Sequence, residues 1–130
     1  MKILRYSGPR SLASDFGLRA DEVGIVSPGM GPTLIHTGVH VALPDDVSAI
    51  VSLYPEQRAR GLHLDGASTF LPPGFTGEIT LLLITAGPRV VPVKSGQPLA
   101  RLTPVRVVAL HPVRVLAPAA RGLGGRLEGV

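Results

Sequence analysis

The stretch Thr33-Leu-Ile-His-Thr-Gly-Val-His-Val-Ala-Leu43 decides the fold class of this chain. Its odd-numbered positions are mostly apolar, whereas its even-numbered positions include His36, Gly38 and His40. A period of two residues is typical of a β-strand that packs one face against a core. The stretch therefore predicts one long, half-buried strand.

Short apolar runs recur on both sides of this strand and are separated by turn signals. After residue 43 they cover residues 49–53, 78–85, 89–93, 99–102 and 105–110. The turn signals are Pro28-Gly29, Pro44-Asp45-Asp46, Pro72-Pro73-Gly74, Gly87-Pro88 and Ser95-Gly96. Only residues 55–60 have a pattern compatible with a short helix. Many short strands joined by Gly and Pro turns predict an all-β sandwich or barrel.

The composition limits the chemistry that the chain can carry. Its 130 residues fit one domain with a core of its own. It has no cysteine, so disulfides and thiolate metal sites are excluded. Thirteen Lys and Arg against nine Asp and Glu give a formal net charge of +4. Since these cations are scattered and aromatic residues make up only 4% of the chain, nucleic-acid binding is disfavoured.

Membrane and export signals are also missing from the sequence. It has no apolar run of about 18 residues, the length that a membrane-spanning helix requires. The first residues do not have the pattern of a signal peptide. We therefore expect no membrane partner and a cytoplasmic or particle-associated protein.

Four segments follow one another in a characteristic order. They are Asp15-Phe-Gly-Leu-Arg-Ala20, Gly74-Phe-Thr-Gly-Glu-Ile79, Gly96-Gln-Pro-Leu-Ala-Arg-Leu102 and Arg121-Gly-Leu-Gly-Gly125. They resemble the first, third, fourth and fifth motifs of the dUTPase (deoxyuridine triphosphatase) family, AGxDLxA, D-Y-R-G-E, G-x-R-I-A-Q and R-G-x-G-G-F-G. The resemblance implies a β-clip or jelly-roll barrel that forms trimers and exchanges a C-terminal strand or arm. It also implies a barrel domain over residues 1–111 and a strand with a Gly-rich arm over residues 112–130.

The chain departs from the family where the resemblance places the reacting groups. The metal-side acid of the first motif falls at Gly17, which has no side chain to hold Mg²⁺ or its water shell. The R-S-G of the second motif falls near Leu53-Tyr54-Pro55, so the phosphate-holding arginine and serine are lost. The acid that orients the attacking water falls at Pro72, which offers no base. We therefore predict no catalytic residue.

What remains of the family's site is interpreted as a vestigial nucleotide pocket. Its predicted members are Gly17, Tyr54, Pro72, Phe75 and Arg101. The resemblance implies that Phe75 replaces the tyrosine under the deoxyribose and that Arg101 replaces the glutamine of the fourth motif.

The histidines are a further candidate for a metal site, outside this pocket. His36 and His40 are predicted to share one strand face, but His63 and His111 are distant in sequence. A pair without a third ligand is a poor metal site, so solvent-facing strand positions are favoured. We expect neither a metal nor another cofactor.

The C-terminal part contains a short internal repeat. Pro104-Val-Arg-Val-Val-Ala is repeated as Pro112-Val-Arg-Val-Leu-Ala. Each copy begins with proline, which strands tolerate at edges, so two edge strands are predicted.

The last segment is predicted to contact another subunit. It has too few large apolar residues for a core of its own. We expect Val113, Val115 and Leu116 to pair as a strand on a neighbour, and Arg121 or Arg126 to meet a carboxylate there.

Three hypotheses on function follow. The favoured one is a non-catalytic homotrimer with a structural role, in particular a viral capsid decoration (cement) protein located in the virion or the cytoplasm. The second is a dUTP or other nucleotide pyrophosphatase with altered motifs that recruits Asp15, Asp65 or Glu78. The third is a regulatory module that binds nucleotide without turnover.

Overall fold

The computed structural model describes residues 16–116 and, as backbone alone, residues 5–7. The elements in chain order are β1 (Arg5–Ser7), β2 (Gly17–Arg19), β3 (Gly24–Val26), β4 (Thr33–Ala42), β5 (Val47–Leu53), α1 (Pro55–Ala59), β6 (Leu62–Leu64), β7 (Phe70–Leu71), β8 (Thr76–Thr85), β9 (Val91–Val93) and β10 (Pro98–Arg106). A 3₁₀ turn at Gly66–Ser68 precedes β7. The all-β class predicted from the turn-separated runs is confirmed.

Two four-stranded antiparallel sheets form the body of the domain. The first sheet has the order β1-β4-β8-β6, and the second has the order β2-β10-β5-β7. A two-stranded ribbon of β3 and β9 completes the strands of the described residues. Inward side chains of both sheets belong to one hydrophobic core, which includes Leu18, Ile35, Leu81 and Leu102. In the part of the chain described here, no helix is long and apolar enough to cross a membrane.

Strand β4 confirms the period-two prediction. Ile35, Val39, Val41 and Thr37 are buried, and His40 on the opposite face is exposed. The short helix predicted at residues 55–60 is also confirmed as α1, with Pro55 in its first turn. Proline suits this position because the first N–H groups of a helix have no partner within the helix.

The strand predicted over residues 105–110 is wrong in its bounds. Strand β10 ends at Arg106, which pairs with Val47, the first residue of β5. Val107 still donates its N–H to the carbonyl of Asp46 over 2.8 Å, but residues 107–116 form no strand in the single chain. The second predicted edge strand, beginning at Pro112, is not formed in the single chain, and its pairing on a neighbouring subunit stays a prediction.

The first predicted edge strand is part of β10. Pro104 pairs with Ala49 of β5, whereas pairing between β10 and β2 stops at Arg101. Pro104 thus has a partner strand on one side only, as expected for a residue without an N–H group.

Candidate functional site

The second sheet places three motif segments side by side. Arg101 of β10 lies opposite Gly17 of β2 on one side and opposite Ser52 of β5 on the other. The backbone N–H of Leu102 donates to the carbonyl of Phe16 over 2.9 Å. Strand pairing therefore fixes the first and fourth motifs and the start of the second relative to one another.

The side chains of these segments point in different directions. Leu53 is 6% exposed and belongs to the core, so this position does not reach the outer surface. Tyr54 is half-buried and precedes α1, and its N–H donates to the carbonyl of Leu99 over 3.0 Å. Arg101 is exposed. Its cationic side chain therefore faces outward in the region where the family resemblance places phosphate-binding residues.

The third motif lies in a separate turn. Within it, the N–H of Phe75 donates to the carbonyl of Pro72 over 3.1 Å. The N–H of Gly74, whose φ of 74° is left-handed, donates to the carbonyl of Pro44 over 3.0 Å. Phe75 packs against the core while Pro72 is exposed. Thus Gly17, Arg101 and the residue before Tyr54 share one sheet, whereas Pro72 and Phe75 are held by the turn after β4.

Two glutamines next to this sheet were missed by the sequence analysis. Gln57 of α1 is 8% exposed, and its Nε2 donates to the carbonyl of Pro98 over 3.0 Å. Its Oε1 accepts from Gln97 Nε2 over 2.9 Å and from Arg60 Nη1 over 3.1 Å. These bonds fasten α1 to the start of β10. The residues around Gln57 and Gln97 do not predict this contact, because the two glutamines are 40 positions apart.

The histidine pair is part of a β-bulge in the first sheet. Between His36 and His40 the register with β8 shifts, and Gly38 has a φ of 70°. Glu78 spans the bulge: its Oε1 lies 3.1 Å from His36 Nδ1, and its Oε2 accepts from the Gly38 N–H over 3.1 Å. The hydrogen bond to Glu78, with its negative charge, raises the pKa of His36 above its ordinary value, and Glu22 and Asp21 add to the effect.

The bulge does not assemble a metal site. His40 and His63 are exposed, and among residues 16–116 no group of three His, Cys, Asp or Glu side chains is placed to hold a metal ion. The predicted solvent-facing position is correct for His40. For His36 the sequence analysis missed the bond to Glu78, because the two residues are distant in the chain.

The C-terminal segment is open on the single chain as far as it is described. Val113 is 70% exposed, Val115 71% and Leu116 86%. Arg121 and Arg126 lie outside the described residues, so the predicted arm contact stays a prediction.

Two curated proteins are similar to the chain over nearly its whole length. The deoxyuridine 5'-triphosphate nucleotidohydrolase of Cutibacterium acnes is 34% identical over 125 residues, which covers 93% of this chain and 80% of the relative. The enzyme of the same name from Clostridium tetani is 29% identical over 132 residues, covering 95% of this chain and 86% of the relative. The chain therefore belongs to the dUTPase family, although no family model matches it.

Solved structures agree on the fold. The native dUTPase of EIAV superposes with a TM-score of 0.72 at 20% identity, covering 91% of this chain and 100% of that one. A Staphylococcus bacteriophage 80alpha dUTPase with dUPNHPP superposes with a TM-score of 0.68 at 14% identity, covering 99% and 98%. The predicted dUTPase-like fold is thereby confirmed.

Proposed function

We propose that this chain is a non-hydrolysing member of the dUTPase family that acts as a trimeric binding or structural subunit. One observation carries the proposal. The position at which the family resemblance places the metal-side acid is Gly17, and the residue opposite it on the neighbouring strand is Arg101. The position expected to carry the metal-binding carboxylate therefore has no side chain, and a cation lies opposite it.

The chemistry of phosphoanhydride hydrolysis explains why the missing metal-side acid matters. The reaction depends on positioning and on metal-assisted charge stabilisation around the triphosphate. Gly17 and Pro72 supply no oxygen ligand and no base. Leu53, where the phosphate-holding arginine is expected, is turned into the core. Since such residues act as a unit, the loss of any one of them can remove most of the activity.

The test is release of pyrophosphate from dUTP in the presence of Mg²⁺. We expect none above the rate without protein, with a catalytically competent dUTPase as the positive control. A turnover near the usual enzymatic range, roughly 1 per second or more, would overturn the proposal.

A hydrolase with altered motifs is the second candidate, favoured by the 34% identity to the Cutibacterium acnes protein. Two of its three proposed acids already have structural roles. Asp65 accepts from the Ala67 N–H at the start of the 3₁₀ turn over 3.2 Å, and Glu78 spans the β-bulge. Asp15 lies outside the described residues. If dUTP is hydrolysed, Asp15→Asn, Asp65→Asn and Glu78→Gln identify which acid has been recruited.

Apolar surface on the single chain supports the trimer. On the outward side of the first sheet, Leu34 is 48% exposed and pairs with the half-buried Leu82, and Ile84 lies further along the same strand face. Beyond β10, Leu110 is 85% exposed. A contiguous apolar face of this kind is typical of an interaction surface, and a symmetric closed oligomer covers it with a second copy.

Light scattering coupled to size exclusion tests the assembly. We expect about three chain masses at micromolar concentration, and deleting the residues after Pro112 should lower the mass by weakening subunit contact. A monomer for the full chain would contradict the trimer. An intact trimer after truncation would contradict only the role of the arm.

The capsid-decoration role is the most specific form of this proposal. The support for it is indirect, since a rigid trimer suits a threefold position in a shell. Mass spectrometry of purified virus particles from the source tests it: the chain should be present in stoichiometric amounts. Its absence from particles would leave a trimer of another role, in the cytoplasm.

A further inference from the structure

The ribbon formed by β3 and β9 carries uncovered apolar side chains on its outward side. Ile25 of β3 lies directly opposite Pro92 of β9, and both are exposed. Val23 and Val90 immediately precede the two strands, and because successive side chains alternate along an extended backbone, they point to this same side. Val23 is 71% exposed, Ile25 59% and Val90 56%. We call these three residues together with Pro92 the ribbon face.

The opposite side of the ribbon is packed against the core. Val26, Val91 and Val93 are buried there. Gly24 lies so close to β4 that a Cβ built on it would come within 2.5 Å of Cδ1 of Ile35. The ribbon face is therefore the outer side of a tightly packed element, and folding of the single chain does not use it. Contiguous exposed apolar side chains of this kind are typical of a contact surface.

The free edge of β9 is closed to a further strand. Pro92 has no N–H group to donate, and its carbonyl accepts from Arg60 Nη2 over 2.8 Å. An edge that lacks a donor and has its acceptor occupied is protected from pairing with another chain. A partner would therefore contact the ribbon face through side chains and not by β-strand addition.

Two cations border the ribbon face. Lys94 directly follows β9 and is exposed, and the alternation of side chains puts it on the same side as Pro92. Arg60 is exposed at the edge of β9, where it bonds the Pro92 carbonyl. A guanidinium has five N–H donors, so Arg60 can serve an incoming acceptor while it keeps this bond.

The carboxylates that precede β3 are directed to another part of the molecule. The backbone N–H of Asp21 donates to the carbonyl of His36 in β4 over 2.8 Å. The charges of Glu22 and Asp21 add to the effect of Glu78 in raising the pKa of His36. These acids therefore act on the first sheet, and the border of the ribbon face formed by Lys94 and Arg60 is positive.

Size and charge select the occupant. A stable contact between two protein surfaces takes roughly 20–30 residues from each side, whereas the ribbon face has four. A second copy of this chain, whose formal net charge is +4, would bring further positive charge towards Lys94 and Arg60. Two cations are also few for a lipid surface, where clusters of roughly four to eight are typical. A short segment with carboxylates and apolar side chains complements both properties of the surface.

We propose that the ribbon face binds a short acidic segment of a partner protein, whose apolar side chains contact Ile25 and its neighbours while its carboxylates meet Lys94 and Arg60. The surface is separate from the face of the first sheet that supports the trimer. The proposal goes beyond the proposed function, because it does not depend on the loss of dUTP hydrolysis.

Selection from a library of short random peptides displayed on phage tests the proposal. Phage that bind a double variant, Ile25→Ser with Val90→Ser, are removed first, and the remainder is selected on the unchanged protein. We expect the enriched peptides to combine a negative net charge with apolar residues. Enrichment of basic peptides, or no enrichment over the double variant, would overturn the proposal.

Single substitutions locate the site, with an enriched peptide as the fluorescent probe in anisotropy titrations. Ile25→Ser should weaken binding by at least about tenfold, because a large apolar contact is lost. Lys94→Glu should weaken it by about fivefold and Lys94→Arg should not, and added salt should weaken binding to the unchanged protein. Ile50→Ser is the matched control, since it removes the same side chain from an exposed position of the second sheet. Equal losses from Ile25→Ser and Ile50→Ser would refute the site.

Two further measurements distinguish the other occupants. Light scattering should give the same mass for Ile25→Ser as for the unchanged protein, and a lower mass would assign the ribbon face to subunit contact and overturn the proposal. Sedimentation with vesicles of phosphatidylcholine and phosphatidylserine should show no binding, and binding that Ile25→Ser abolishes would make the occupant a lipid surface.

The outcomes also separate this proposal from the proposed function. Hydrolysis of dUTP in the pyrophosphate assay would refute the non-hydrolysing function and leave the peptide titrations unaffected. The melting temperature of each variant shows whether the domain has remained folded. If Ile25→Ser unfolds the domain, the exposed Lys94→Glu still decides the case, since an unchanged affinity in that variant would refute the charged border.

Discussion

The outward faces of the two sheets differ, although their inward faces are alike. Both sheets contribute fully buried leucines to one core. Outward, the first sheet carries three histidines and a glutamate beside leucines and an isoleucine, and the second carries arginines beside Ile50 and Phe70. We call the outward side of the first sheet the histidine face. The core sets which residues turn inward, whereas charge and bulge geometry distinguish the two outer surfaces.

Folding and contact with another subunit therefore depend on opposite faces of the same strands. In β8, Leu81 and Leu83 are 0% exposed, whereas Leu82 between them is half-buried. The apolar run predicted at residues 78–85 thus supplies apolar side chains to both faces of β8. On the single chain one of those faces is covered by the core, and the other is available to a second copy.

The largest effect is expected from truncating an inward residue of the first sheet. Leu83→Ala removes a fully buried side chain and should lower the free energy of unfolding by about 2–5 kcal/mol through lost burial and a cavity. Urea unfolding followed by circular dichroism measures the change. Leu82→Ala is the matched outward variant and should cost less, with a loss that depends on protein concentration. Equal, concentration-independent losses would remove the distinction between the two faces of β8.

A smaller effect is expected at the bulge between His36 and His40 in the first sheet. Glu78→Ala removes the acceptor of the Gly38 N–H and the partner of His36, and should lower the free energy of unfolding by about 1–3 kcal/mol. Glu78→Gln should be milder, because an amide oxygen still accepts from Gly38. His40→Ala, on the exposed neighbour, serves as the control. If Glu78→Ala were as stable as the parent protein, the carboxylate would have no part in holding the bulge.

The smallest effect is a pH dependence confined to the histidine face. The pKa of His36 is raised in the folded protein by the hydrogen bond to Glu78 and its charge. The protonated form is therefore favoured by folding, and its stabilisation is present below about pH 6.5 and is lost as pH rises through the raised pKa. The difference in melting temperature between the parent and His36→Gln should be larger near about pH 5.5 than near about pH 8.5.

The outward side of the second sheet provides the contrast for this measurement. The strands of the second sheet contain no histidine and no carboxylate. The effect of Thr103→Ala, an exposed position on that face, should be within about 0.5 kcal/mol and should be the same at both pH values. A similar pH dependence in both variants would assign it to another part of the protein.

Much of the fold follows from local pattern. The alternation in residues 33–43 predicted β4 and its buried side, and Pro55 predicted the start of the helix. The order of the motifs predicted the family. The end of β10 was not predictable from its own residues, because it depends on where β5 begins to pair with it.

The candidate site was predicted only in part. That Gly17, Leu53 and Pro72 replace acting residues of the family stays a prediction, because it depends on the resemblance of short motifs. Their spatial relation is not visible, because Arg101 is brought opposite Gly17 by antiparallel pairing between strands that are remote in the chain. Likewise, no spacing rule connects Gln57 with Gln97 or Glu78 with His36.

The sequence by itself determined which residues are able to enter a core and where the turns fall. These properties depend on side-chain type and on a period of two residues, and both are local. Tertiary structure alone decided that Glu78 closes the bulge at Gly38, that Leu53 faces inward and that Arg101 lies opposite Gly17. Those outcomes depend on strand register, which is set when distant strands pair and bury a common core.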